Sequence, residues 1–114
     1  MATSDELIGR RCEPCEGGVP PLEQDAVLEL ARALHEDWKI VDDGKSILRL
    51  FEFKGYHRTI SFVNAVAWIA ESEGHHPDLK VHYGKVEVLY TTHSIGGLSE
   101  NDFICAAKID RLLA

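Results

Sequence analysis

The sequence predicts one α+β domain, a four-stranded antiparallel sheet with its helices packed on one face, in the order α-β-β-α-β-β-α. Three observations predict it. The 114 residues, 45% hydrophobic and 27% charged, supply one core and leave no room for a second. Hydrophobic spacing switches along the chain between the three-to-four of a helix and the two of a strand. Clusters of Gly, Pro and Asp punctuate each switch.

Residues 1–114 therefore read as a single domain, with 1–21 as an N-terminal arm. In the arm, Gly9 to Pro21 mixes Gly, Pro and charge in a way that neither a helix nor a central strand tolerates. From Leu22, the positions Leu22, Ala26, Leu30 and Ala33/Leu34 carry helical spacing, with Pro21 suited to a helix start, and predict a helix to about His35. Trp38, Ile40 and Val41 give a short strand, Asp42-Asp43-Gly44-Lys45 a turn, and Ser46–Phe53 a second strand. In that strand Ile47, Arg49, Phe51 and Phe53 share one face and Leu48 and Leu50 the other, so both faces are expected to be partly covered. Phe62, Val66, Ile69 and Ala70 place a helix over about 58–73, ended by Gly74 as a left-handed cap with Pro77 beyond. Val81 to Thr92 reads as a second hairpin turning at Tyr83-Gly84-Lys85, with Val86, Val88 and Tyr90 facing the core. Ser99 and Asp102 form a capping-box pattern ahead of Cys105, Ile109 and Leu112, which predicts a final helix. Both tryptophans, Trp38 and Trp68, read as core or core-edge aromatics.

Charge and cysteine content narrow the function. Twelve basic against nineteen acidic residues give a formal charge of −7, a field that repels phosphate backbones and anionic lipid, so neither direct nucleic-acid binding nor a membrane role is expected. There is no apolar run of membrane-spanning length and no secretory leader, which leads us to expect a cytoplasmic protein. The odd set Cys12, Cys15 and Cys105 is expected to remain as thiols there.

Three of the six histidines stand at punctuation: His75 and His76 after the helix cap, and His93 at the end of the last strand. Gly74 and Pro77 set the paired imidazoles on a rigid corner, and the negative end of the preceding helix favours the protonated form of an imidazole beside it. Groups that titrate near neutrality suit proton transfer. Plain loop polarity is the competing reading, and it serves for His35, His57 and His82. A metal site from His75, His76 and His93 with Cys12 and Cys15 is disfavoured, because no second CxxC and no HxxxH pattern accompanies them, so no metal is assigned. Asp102 has two open readings, helix cap or site residue. Glu71, four residues before His75, either orients an imidazole or lies on a solvated helix face.

The string Glu71-Ser72-Glu73-Gly74-His75-His76-Pro77, then Tyr83, Thr92-His93, Gly97-Leu98-Ser99 and Asp102, resembles the signature of the pterin-4a-carbinolamine dehydratase family. Phe51-Glu52-Phe53 and the Cys12-Glu13-Pro14-Cys15 arm with Pro20-Pro21-Leu22 are similar to the family as well, so the likeness runs from about residue 12 to 112. The resemblance implies elimination of water from 4a-hydroxytetrahydrobiopterin, the carbinolamine left by aromatic amino acid hydroxylases, to give quinonoid dihydropterin in tetrahydrobiopterin recycling, without cofactor or metal. It implies His75 and His93 as the acid/base pair, His76 as a binding residue, and Glu71, Pro77 and Asp102 in support. It also implies a homodimer or homotetramer, a small-molecule pterin substrate and a functional link to a hydroxylase. The alternative is a non-catalytic binding partner, a transcriptional coactivator or an assembly factor such as the relatives that assist Rubisco assembly.

Overall fold

A computed structural model describes residues 3–14 and 20–113. Its elements are α1 (Ser4–Ile8), α2 (Gln24–Ala31), β1 (Lys39–Val41), β2 (Ser46–Glu52), α3 (Tyr56–Glu73), β3 (Asp78–Val81), β4 (Lys85–Tyr90) and α4 (Glu100–Arg111), with a single 3-10 turn at His93–Ile95. The strands form one antiparallel sheet in the order β1-β2-β4-β3, so the two strands richest in buried side chains occupy its centre.

Strand alternation builds the core as the sequence predicts. Val86, Val88 and Tyr90 of β4 are fully buried, and β2 adds Ile47 and Phe51 to the same face. Against them lie Phe62 and Val66 of α3 and Phe103, Ile104, Ala107 and Ile109 of α4, one continuous apolar cluster. Each of these larger side chains contributes roughly 1.5–3 kcal/mol by leaving water. Arg49 lies on that face too, and its charge is matched by Asp110 of α4 at 2.6 Å, which also accepts the Trp38 indole N–H at 2.8 Å.

The outer face of β2 is partly covered, as expected, with Ser46 buried, Leu48 half-buried and Leu50 exposed. Three features differ from the sequence reading. The arm is not wholly irregular: Thr3 caps a short helix, α1, whose Leu7 is fully buried against α4. The helix from Leu22 closes at Ala31 and continues only as turns to Trp38. Trp38 is buried edge-on against Phe51, whereas Trp68 is 73% exposed on the outer side of α3. Helical spacing locates Trp68 relative to its neighbours but does not reveal which flank of a helix is covered.

Candidate functional site

Two helix ends and one strand end converge at the site. Helix α3 stops because Gly74 takes a left-handed conformation (φ 66°), a region most L-residues avoid. The Gly74 N–H then donates to the Glu71 carbonyl and the His75 N–H to the Ala70 carbonyl, the paired bonds of a Schellman turn. That turn fixes the backbone from which His75 projects. Helix α4 begins with the expected capping box: Ser99 and Asp102 satisfy each other's backbone N–H groups.

Asp102 does more than cap. Its Oδ2 accepts from the Ser99 N–H at 3.0 Å and from the Thr92 hydroxyl at 2.8 Å, while its Oδ1 lies 2.5 Å from Nε2 of His75. The Asp102 side chain is completely buried and that of His75 is 13% exposed. One carboxylate therefore both caps α4 and holds the His75 ring. The far face of the His75 ring stacks on Tyr90, centroids 5.3 Å apart. Burial by itself pushes the His75 pKa down, but the hydrogen bond and charge of Asp102 outweigh it and hold the imidazole above its ordinary value. With Nε2 engaged by Asp102, Nδ1 is the ring nitrogen left for other partners.

His75, His76 and His93 all line one cleft of about 480 Å³, together with Thr91, Thr92 and Ser94. In a regular strand His93 would share the parity of Glu87 and Leu89, away from the core. Strand β4 instead ends at Tyr90, and the chain turns into the 3-10 turn that begins at His93. Glu71 is exposed and does not line the cleft, and neither does Pro77. His35, His57 and His82 are exposed and lie outside it. Among the described residues, no three His, Cys, Asp or Glu side chains cluster closely enough to hold a metal ion.

The cleft contains several residues beyond the expected site residues. Glu73, not Glu71, is the helix-end carboxylate there: its Oε1 accepts from the Cys12 N–H at 2.8 Å and its Oε2 from the Lys108 ammonium at 2.7 Å. Burial raises the Glu73 pKa, but Lys108 and the Cys12 N–H reverse the effect and hold it below the usual carboxylate value. The four-residue spacing that favoured Glu71 applies only within a helix, and Gly74 ends the helix before His75. Cys12, Glu13, Pro14 and Asn101 complete the lining, and no local pattern announced Asn101. The Cys12 sulfur lies 3.5 Å from that of Cys105; Cys15 lies outside the described residues.

The chain is similar to known proteins over nearly its whole length. Residues 20–112 match the model of the family described as pterin 4 alpha carbinolamine dehydratase. The chain is 55% identical over 113 residues to a Nitrosomonas eutropha protein, covering 99% of this chain and 98% of that one, and 56% identical to one from Nitrosospira multiformis over 96% and 95%. Both are named "Putative pterin-4-alpha-carbinolamine dehydratase". Among solved structures, a transcriptional coactivator/pterin dehydratase from Brucella melitensis is 33% identical, with a TM-score of 0.77 over 82% of this chain and 99% of that one. A pterin dehydratase-like RuBisCO assembly factor of the alpha-carboxysome, 24% identical with a TM-score of 0.59 over 68% of this chain and 90% of that one, shares the fold.

Proposed function

Because the chain belongs to the pterin 4 alpha carbinolamine dehydratase family, we propose that it eliminates water from 4a-hydroxytetrahydrobiopterin to give quinonoid dihydropterin, by proton transfer among the histidines of the cleft. The observation that carries this reading is the meeting of His75, His76 and His93 on one cleft, with His75 braced by a buried Asp102. In the reaction the C4a–O bond breaks with its electron pair going to oxygen, which takes a proton and leaves as water. The N5–H pair becomes the N5=C4a double bond, and that proton goes to a base. Acid and base are both needed, and the balance closes without an external electron carrier.

The environment of His75 supports a division of the two roles. Asp102 stabilises its protonated form, so His75 is the donor to the departing hydroxyl. His93, exposed at the rim, receives the N5 proton and exchanges it with water. His76 binds and orients the heterocycle. The direct test is to generate the carbinolamine in situ and follow its dehydration with and without the protein. Acceleration by the protein supports the assignment, and a rate equal to the spontaneous one defeats it.

The family resemblance further leads us to propose a homodimer or homotetramer in the cytoplasm, working beside an aromatic amino acid hydroxylase. The position of β1 and β3 as edge strands and the exposed Leu50 and Trp68 support the assembly.

A further inference from the structure

We propose that the arm segment Cys12-Glu13-Pro14 is a substrate-facing wall of the cleft, and that Asn101 is the positioning residue that holds it there. The inference rests on the dehydratase reading and adds to it a specificity element from outside the matched family segment, which begins only at residue 20.

The arm is tied to the domain as an added strand would be. The Asn101 side chain accepts from the Glu13 N–H through Oδ1 at 3.1 Å and donates from Nδ2 to the Glu13 carbonyl at 2.5 Å, so one amide satisfies both backbone groups of one residue. One residue earlier, the Cys12 N–H donates to Glu73, and the Cys12 thiol packs on Cys105. Before that, Arg10 pairs with Glu100 at 2.8 Å, and the buried Leu7 anchors α1 to α4. Where the chain is next described, the Leu22 N–H donates to the Leu98 carbonyl at 2.8 Å. Pro21 there packs so closely on Gly97 that a side chain at 97 would meet it at 2.7 Å. Both attachments flank the cleft: one is on the helix that carries Asp102, the other on the loop that follows His93. Cys12, Glu13 and Pro14 themselves line the same cleft as the three histidines. A planar heterocycle seated against those imidazoles lies against the arm, which adds binding area without touching the atoms that gain or lose protons.

Asn101→Ala removes both bonds to Glu13. Two hydrogen bonds of ordinary net strength predict that KM rises about 5- to 150-fold while kcat stays within about twofold. Glu13→Pro cuts the N–H bond from the arm's side without altering α4, and should raise KM relative to Glu13→Ala, which keeps that bond. A substrate-free readout accompanies them: site-resolved alkylation of Cys12 should accelerate in Asn101→Ala. The hydrogen bond to Cys105 and burial together raise the Cys12 pKa, and lifting the arm releases both. Unchanged KM in Asn101→Ala and in Glu13→Pro, beside an active parent protein, overturns the inference. A parent protein without turnover overturns the dehydratase reading instead, and with it the substrate-facing role, while Cys12 alkylation still reports whether Asn101 docks the arm.

Discussion

Asp102 touches no solvent, yet it joins three parts of the molecule: the corner after α3 through His75, the end of β4 through Thr92, and the start of α4 through Ser99. Removing its charge while keeping its shape isolates the electrostatic part. In Asp102→Asn the amide oxygen can still accept from the Ser99 N–H, but His75 loses the charge that outweighs its burial, so its pKa falls. If protonated His75 is the donor, turnover is lost as pH rises through that pKa. The alkaline limb of the kcat profile should therefore lie above about 6.5 in the parent protein and move to lower pH in the variant. His75→Ala and His93→Ala should each lower kcat by about two to four orders of magnitude, as removal of a proton-transfer group does. His76→Ala should mainly raise KM. Steady-state kinetics on the three variants separates these roles, and parent-like rates in the doubly substituted His75/His93 protein would contradict them.

At the scale of elements, the corner that aims His75 depends on one conformational fact, the left-handed Gly74. Open space surrounds its Cα, so Gly74→Ala introduces no clash and probes backbone strain alone. It should cost about 1–2 kcal/mol, read as a lower urea midpoint with an unchanged slope. This turn was legible in the sequence, as were the hairpins, the capping box and the burial of Val86, Val88 and Tyr90, because each is written in spacing or in residue types with one conformational use. The exposed Trp68 and the role of Asn101 were not. Each depends on what lies across from a residue in space, and local periodicity does not carry that information. His93 falls between the two cases: its type marked it, but only the end of β4 at Tyr90 brings it to the cleft.

For the whole molecule, two perturbed groups shape stability against pH. Glu73 has its folded pKa lowered, so its contribution is present above the ordinary carboxylate value of about 4.3 and is lost as pH falls through the lower folded value. His75 has its folded pKa raised, so its contribution is complete below about 6.5 and is lost as pH rises through the higher folded value. Both act together between about pH 4.5 and 6.5, and urea titrations across pH should show the contribution of this pair at its largest there. In Asp102→Asn the decline above pH 6.5 should flatten, and an unaltered slope would count against the pairing. The capping box of α4 has a consequence of another kind. The carboxylate that starts the last helix is also the one that braces the imidazole, so fraying of that first turn would disarm the chemistry while the rest of the fold still stood. On the proposed mechanism, thermal inactivation should coincide with local melting at Ser99–Asp102.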